Sequence, residues 1–499
     1  MLKAQFTGES TATTPRVAFG LCAFLAGLAC ACSSDDDTPR RERPAGPAAD
    51  VSQEITGGNG PFIGAAPGGT MPSGYVEHEY VASGTATAYV AQGPLSMDGK
   101  WTFEPGTTAA YRTRVLVRRP ADAGDFSGTV IVEWLNVSGG LDANPDYASL
   151  EEEITRQGHA WVGVSAQLIG VAGGTVLVTT PVGGDLVGKG LKALDPARYS
   201  SLEHPGDGYS FDIFTQVARA AAGGQLLGGT KPRVVLAAGE SQSAIALTTY
   251  YNGVQPSTRA FDGFLVHSRA SVSLPLVEPG KPADLATAIT TTGPALLRDD
   301  LDAPVLELQA ESDVIGILNS YAVRQPDSDR FRLWEVAGTA HADAHLLGSI
   351  ASSIDCGAPI NDGPMHLVAK AALRHLDEWV RSDAAPPTGA RLEVATNPDP
   401  AIVRDADDIA LGGIRTPPVE VPVDALSGVA GPKADLLCLL LGSSVPLPEP
   451  RLTALYPSRA TYEQQYAAEA GRTIEAGFVL EEDRAALLGF SKPSRIVGR

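Results

Sequence analysis

The sequence contains little histidine and little cysteine, and both scarcities limit the metal chemistry that it can carry. Its 499 residues include 8 histidines and 5 cysteines, and neither a CxxC nor an HExxH pattern occurs. Zinc sites recur at such short spacings because one turn must place several ligands around one ion. The sequence therefore predicts no dedicated metal site.

Positive charge is also scarce. Lys and Arg number 38 against 58 Asp and Glu, which gives a formal net charge of −20. A surface this acidic repels nucleic acid and anionic membranes, so we expect neither as a partner. With 43% hydrophobic residues, the chain is long enough for one large core or two smaller ones. A small or neutral ligand fits this composition better.

The amino terminus has an apolar run, VAFGLCAFLAGLA at 17–29, that is too short to span a bilayer comfortably. Its length is typical of an export signal. Cys30 and Cys32 follow small residues, as in bacterial lipoprotein signals in which a cysteine is acylated and anchors the protein. We therefore predict a signal over 1–32 and an exported protein, either periplasmic, attached to the cell envelope or secreted. Cleavage without a lipid and a short buried helix are the alternatives.

Residues 33–74 are rich in Pro, Gly and charge and have no apolar period, which predicts a disordered tether. We expect the folded domain to occupy 75–499, including a C-terminal extension. Cys356 and Cys438 are then the two cysteines of the folded part. In an exported protein they can form one disulfide, although two separate buried thiols also fit the sequence.

Strand and helix patterns alternate after residue 75. Continuous apolar runs predict strands, and they are GTVIVEWLN, HAWVGVSAQ, RVVLAA, FDGFLVHS, APVLELQAESD and RFRLWEVAGTAH. Helical spacing appears between them in PDYASLEEEITRQG, YSFDIFTQVARAAAGG and AIALTTYYNGV. This succession predicts an α/β fold with a mostly parallel sheet and helices on both faces. Catalytic groups are then expected at the carboxyl ends of the strands.

The stretch AAGESQSA at 237–244 connects the run RVVL to a helical pattern. A strand, a sharp turn with serine at its tip and a helix form the nucleophile elbow of α/β-hydrolases, usually written G-x-S-x-G. Gly239 and Ser243 supply the small residues that this crowded turn needs on either side, which makes Ser241 the candidate nucleophile. Small residues also occur between strand and helix for packing alone, so the motif by itself leaves both interpretations open.

A nucleophilic serine needs a histidine as base and a carboxylate that orients it. In α/β-hydrolases the chain order is serine, acid, histidine, which excludes the histidines before Ser241. His341 follows the run RLWEV in the small-residue loop GTAHAD, where such a base belongs. Asp313 and Glu311 both follow the run PVLELQA. The spacing favours Asp313, with Glu311 as the reserve acid.

Several stretches of the chain resemble the alpha/beta hydrolase domain family, a group of exported bacterial proteins. They are VEWLNVSGGLDANPDY, LDPARYSSLEHPGDGYSFDIF, AAGESQSA, FDGFLVHSR, WEVAGTAHAD and CGAPINDGP, and G-E-S-Q-S is the ordinary elbow of that family. The resemblance implies the α/β-hydrolase fold and a serine hydrolase acting on a small-molecule ester, with Ser241, Asp313 and His341 as the matching positions. It does not name the substrate, because the superfamily has several activities. The triad chemistry requires no cofactor.

The loop after GTVIVEWLN is expected to complete an oxyanion hole with the backbone amide of Gln242. Val137 is the first candidate for the second donor and Asn136 the next, although the loop can equally be a simple turn. The long segments at about 167–208 and 270–302 are candidate lids over the site. Three further residues can line the substrate pocket or be structural, and they are Tyr199, His204 and His267.

Two other classes of function share these features. A non-catalytic binding protein of the cell envelope can keep the fold without the chemistry, and an acyltransferase or amidase can use the same triad. A fluorophosphonate probe and a panel of ester and amide substrates separate them. The sequence leaves the acyl chain length and the oligomeric state open.

Overall fold

A mixed sheet of nine strands forms the centre of the structure, a computed structural model that describes residues 43–64, 71–179, 184–433 and 435–496. In chain order its strands are β1 (Asp50–Glu54), β2 (Tyr75–Ala91), β3 (Phe103–Pro120), β4 (Thr129–Trp134), β5 (Ala160–Val164), β6 (Val234–Glu240), β7 (Gly263–His267), β8 (Val305–Ala310) and β9 (Phe331–Val336). They lie side by side in the order β1-β2-β3-β5-β4-β6-β7-β8-β9. The described residues all belong to one unit, 40–499.

The sheet is parallel from β5 to β9 and antiparallel from β1 to β3. β2 and β3 form a long antiparallel hairpin, and β3 is also antiparallel to β5. In the parallel part, Ile131 of β4 lies opposite Trp161 of β5 and Leu236 of β6. Every residue of β4, β5 and β6 is buried. The apolar runs in the sequence thus form strands with both faces covered, and the predicted fold class is confirmed.

Helices cover both faces of the sheet. In chain order they are α1 (Pro145–Arg156), α2 (Leu168–Ala172), α3 (Gly190–Leu194), α4 (Pro196–Tyr199), α5 (Ser210–Ala222), α6 (Gln242–Thr249), α7 (Gln255–Thr258), α8 (Leu285–Thr291), α9 (Glu311–Val314), α10 (Ala344–Leu347) and α11 (Met365–Ser382). Successive strand residues point to opposite faces. Val130 therefore packs in one core with Phe214 of α5, whereas Ile131 packs in the other with Leu150 of α1 and Leu373 of α11.

The C-terminal part adds small elements beside the sheet. They are β10 (Val394–Ala395), β11 (Ala401–Ile402), α12 (Pro417–Glu420), β12 (Asp424–Ser427), α13 (Leu436–Leu441), β13 (Ser443–Pro446), α14 (Glu449–Leu455), α15 (Arg459–Glu475) and α16 (Arg484–Gly489). β10 pairs with β11, and β12 pairs with β13. A disulfide joins Cys356 to Cys438 of α13. The prediction that these two cysteines form one disulfide is confirmed, and the alternative of two separate thiols is wrong.

The predicted tether at 33–74 is wrong for residues 49–55. Residues 50–54 form β1, which pairs with β2, and Ala49, Val51 and Ile55 are buried. Apolar residues recur in this stretch, but they are few and lie between Pro-rich and Gly-rich segments, so composition over a longer window hides them. The predicted signal, with Cys30 and Cys32, lies outside the described residues. Of the helices that the structure describes, none has the length and apolar character of a membrane-spanning segment.

Candidate active site

Ser241 lies at the turn where β6 ends and α6 begins. Its φ of 62° and ψ of −120° fall in a region that non-glycine residues rarely adopt, and such strain is typical of a serine at a nucleophile elbow. A Cβ added to Gly239 would lie 3.0 Å from the Cβ of Ser243, which is itself buried. The close approach of strand and helix explains why small residues flank the serine.

His341 lies between Ser241 and Asp313. Its Nδ1 is 2.8 Å from Asp313 Oδ1, and its Nε2 is 2.8 Å from Ser241 Oγ. A carboxylate only accepts hydrogen bonds, so Nδ1–H donates to Asp313, and when the ring is neutral its Nε2 accepts the Ser241 hydroxyl. The backbone N–H of His341 donates to Ser312 Oγ at 2.7 Å. The ends of β6, β8 and β9 thus bring together the three residues selected from the sequence.

The two acid candidates have different surroundings. Asp313 faces His341 with one oxygen, and its other oxygen accepts the Ser268 hydroxyl at 2.6 Å. Glu311 instead accepts the backbone N–H groups of Gly338 at 2.7 Å and Gly428 at 2.9 Å. Glu311 therefore braces two loops, and only Asp313 is hydrogen-bonded to the histidine. Ser268 is not among the sequence-based candidates because its role depends on long-range packing.

A further carboxylate, that of Glu240, faces the Nε2 side of His341. The distance from Glu240 Oε1 to His341 Nε2 is 3.4 Å, and burial raises the pKa of Glu240 to about 7. Burial alone lowers the pKa of His341, but the charges of Glu240 and Asp313 outweigh it and raise that pKa to about 9. Glu240 is not among the sequence-based candidates, although a carboxylate at the end of an apolar buried strand is a signal for it.

A chamber of about 530 Å³ lies beside Ser241. Its walls come from stretches that are distant in the sequence, and they are 62–64, 177–178, 186–187, 317–318, 346–347, 349–350, 436–437 and 440–441. Both segments predicted as lids contribute to it, the first through 177–178 and 186–187 and the second through Ile289. The chamber wall from α13 was not expected from the sequence.

The oxyanion-hole candidates are only partly in place. Gln242 and Asn136 line the chamber, and no described residue accepts a hydrogen bond from the Gln242 N–H. The first candidate for the second donor is wrong as the structure stands, because the Val137 N–H donates to Gln242 Oε1 at 3.2 Å. The N–H groups of 136, 138 and 140 are likewise hydrogen-bonded. Within the described residues, Gly139 and Leu141 are the loop positions that line the chamber with their N–H groups unengaged, and Gly139 is the nearer of the two to the end of β4 along the chain.

Tyr199, His204 and His267 do not line the chamber, so of the two roles that the sequence leaves open for them their contacts agree with the structural one. The Tyr199 hydroxyl accepts the N–H of Phe62 at 3.0 Å and thereby holds a chamber residue from behind. His204 Nε2 lies 2.9 Å from a backbone carbonyl oxygen, and burial lowers its pKa. His267 Nδ1 lies 2.9 Å from Asp146 Oδ1. Each of the three has a structural hydrogen-bond partner, and Tyr199 and His267 are buried.

The described residues contain no cluster of three or more His, Cys, Asp or Glu side chains that could hold a metal ion. The candidate site consists of a strained serine, a histidine between two carboxylates, and a large chamber. This arrangement can activate a hydroxyl as a nucleophile.

The comparisons with known proteins concern the whole fold. The alpha/beta hydrolase domain family matches residues 45–489 of the chain. No curated protein matches the chain.

Solved esterases share the general fold at low identity. One of two esterases from the fungus Rhizomucor miehei is 12% identical over 60% of this chain and 84% of its own, with a TM-score of 0.30. Carboxyl esterase 2 from Tuber melanosporum is 11% identical over 63% of this chain and 91% of its own, with a TM-score of 0.30. The esterase domain of a Rhodothermus marinus protein is 14% identical over 60% of this chain and 98% of its own, with a TM-score of 0.26. Such distant likenesses carry no argument about activity.

Proposed function

Because this chain belongs to the alpha/beta hydrolase domain family, we propose that it is a serine hydrolase that cleaves carboxylic esters. The observation that carries the proposal is the hydrogen-bonded series from Ser241 Oγ through His341 to Asp313, with both contacts at 2.8 Å. A serine at a strained turn, hydrogen-bonded to a histidine that a carboxylate orients, is the arrangement that activates a serine hydroxyl for attack. The adjoining chamber gives a substrate carbonyl room to reach Ser241.

In the proposed reaction, neutral His341 takes the proton of Ser241 as Oγ attacks the ester carbonyl carbon. Asp313 holds the ring in the tautomer that leaves Nε2 free to accept. His341 then gives the proton to the departing alcohol oxygen, and the acyl group remains on Ser241. Water attacks the acyl-enzyme, loses a proton to Nε2, and the acid is released as Ser241 regains its hydrogen.

The oxyanion is proposed to accept hydrogen bonds from the N–H groups of Gln242 and Gly139. Gln242 directly follows the nucleophile at the start of α6, where the helix dipole also favours negative charge. Gly139 replaces Val137 in this role because the Val137 N–H is already used. The side chain of Gln242 then has a positioning role, since its Oε1 holds the loop that carries Gly139.

Loss of the nucleophile tests this function. We expect Ser241→Ala to lower kcat for p-nitrophenyl butyrate by about 10⁴-fold or more. Ser243→Ala is the matched control, because the Ser243 hydroxyl is buried and has no hydrogen-bond partner in the described structure. Equal rates for Ser241→Ala and wild type would remove Ser241 as nucleophile. Faster cleavage of the matching anilide would favour an amidase, and ligand binding without turnover would favour a binding protein.

Export of the protein is proposed from the apolar run at 17–29 and the cysteines that follow it. The disulfide supports this proposal. The bond between Cys356 and Cys438 is of the kind that persists in oxidising compartments outside the cytosol. Attachment through a lipid on Cys30 or Cys32 stays a prediction. Mass spectrometry of the mature amino terminus tests it, since cleavage before a cysteine with an added acyl mass is the expected result.

A further inference from the structure

The lining of the chamber beside Ser241 separates into two kinds of surface. Its polar residues are Asn136, Ser138, Glu240, Ser241, Gln242 and His341, which belong to the proposed reacting centre, together with Ser349 on a wall. The remaining described lining is apolar or glycine. An apolar chamber with a few convergent polar groups is the usual form of a site that encloses an apolar ligand.

Charge on the chamber surface is limited to one end. Glu240 and His341 are the ionisable side chains among the described lining residues, and no described Lys or Arg side chain lines it. A substrate carboxylate or phosphate placed against the apolar walls would be desolvated without a cation partner, which is costly. Near the serine, in the reactive form of the site with His341 neutral, it would also approach the carboxylate of Glu240. The chamber surface therefore disfavours anionic substrates.

We propose that the substrate is an uncharged ester whose hydrocarbon chain, of about six carbons or more, lies in this chamber. The inference rests on the proposed function, because it assumes that Ser241 attacks the ester. At about 30 Å³ for each non-hydrogen atom, the volume that water occupies in the liquid, a chamber of about 530 Å³ admits a medium-length acyl or alkyl chain with the ester group. A short-chain ester leaves most of these apolar walls without contact.

One wall of the chamber provides matched positions for a test. Leu437 and Leu440 of α13 line the chamber, whereas Leu439 lies on the outer side of the same helix and is 42% exposed. The disulfide from Cys438 to Cys356 fastens this helix to the segment that follows the His341 loop. A larger side chain at Leu437 thus reduces the chamber, while the same change at Leu439 faces solvent.

The first measurement is kcat/KM of the wild-type protein for p-nitrophenyl esters from acetyl to decanoyl, and for acetate esters with alcohols of increasing length. Burial of each added methylene is worth about a fourfold gain. We therefore expect kcat/KM to rise on the order of 100-fold from acetyl to hexanoyl, or over the matching alcohols. A maximum at the shortest member of both series would overturn the inference.

Charge and shape supply two further measurements. A p-nitrophenyl ester that ends in a carboxylate should be cleaved at least about 100-fold more slowly than its uncharged analogue of equal length. Leu437→Trp should lower kcat/KM for the octanoyl ester by about tenfold or more and leave the acetyl ester nearly unchanged, whereas Leu439→Trp should affect neither. Equal cleavage of charged and uncharged esters, or equal profiles for both variants, would contradict the inference.

A small fluorophosphonate with a short alkyl group separates this inference from the proposed function. If the probe labels Ser241 while only short or charged esters are cleaved, the proposed function stands and the substrate class is wrong. If neither labelling nor cleavage of any ester occurs, the proposed function fails and the substrate class fails with it. Labelling of Leu437→Trp at the wild-type rate confirms that this variant is folded. Its dependence of kcat/KM on chain length then tests the proposed substrate class.

Discussion

Neutralising Glu240 should move the pH dependence of the reaction. The base must be neutral to accept the Ser241 proton, and the carboxylates of Glu240 and Asp313 raise the pKa of His341 to about 9. The acid limb of kcat/KM for wild type is therefore expected well above the pH of about 6.5 at which an ordinary histidine titrates. In Glu240→Gln the amide keeps the shape of the side chain but removes one of these two charges.

The size of the shift follows from the distance. Glu240 Oε1 lies 3.4 Å from His341 Nε2, and two unit charges about 4 Å apart interact by about 4 kcal/mol at an effective dielectric constant of about 20. An opposite charge at this range usually shifts a pKa by about 1–3 units. We therefore expect the acid limb of Glu240→Gln to lie about 1–3 pH units lower. The value of kcat/KM on the plateau above the acid limb should fall by at most about tenfold for each unit by which the pKa of His341 falls, because a weaker base accepts the proton less readily.

The assay is kcat/KM for an uncharged aryl ester from pH 5 to 10, measured on wild type, Glu240→Gln and Glu311→Gln. Glu311→Gln is the control because that carboxylate braces the backbone at Gly338 and Gly428 rather than the histidine ring. Its acid limb should stay at the wild-type position. An unchanged or higher limb in Glu240→Gln would refute the assignment of Glu240 as the charge that raises the pKa of His341.

Three further predictions concern the oxyanion hole, a buried ion pair and the disulfide. Gly139→Pro removes the proposed N–H donor and should lower kcat by about 10²–10³-fold in a steady-state assay. Gly139→Ala, whose Cβ would meet no atom within 4 Å, should retain activity. Equal losses for the two variants would contradict the role of Gly139 as an oxyanion donor. Arg114 is buried against two carboxylates, with Asp142 at 2.7 Å, so urea unfolding of Arg114→Met should show about 3–5 kcal/mol less stability. The exposed Arg472 supplies the control Arg472→Met, which should unfold like wild type, and similar values for both would refute the argument. Cys438→Ala should cost about 2–4 kcal/mol of unfolding free energy, seen by the same method, and a stability equal to that of wild type would contradict a structural role for the bond.

The fold and the order of the site residues could be predicted because they depend on local patterns. Strands that are apolar on both faces appear as continuous runs, and β6 ends at Glu240, two residues after its run RVVLAA and one residue before Ser241. The acid and the histidine could then be sought after later runs. The geometry agrees with the choice of Asp313 over Glu311, since only Asp313 faces His341.

The errors and the roles left open concern contacts between segments that are distant in the sequence. The sequence leaves Tyr199 open as a pocket or a structural residue, and only the structure shows that its hydroxyl accepts the N–H of Phe62, because no pattern in the sequence links these two positions. The engagement of the Val137 N–H by the Gln242 side chain is also invisible to a strand-and-turn pattern. β1 was missed because a short strand at the edge of a sheet has few apolar residues. Long-range packing, rather than local propensity, decides each of these cases.

Peptide-level mass spectrometry after fluorophosphonate labelling tests the central claim most directly. The account predicts one adduct, located on Ser241, with labelling that is lost in Ser241→Ala and kept in Ser243→Ala. Asp313→Asn should slow the labelling strongly, because His341 would lose the acceptor that fixes its tautomer. An adduct on another residue, or equal labelling of wild type and Ser241→Ala, would contradict the account.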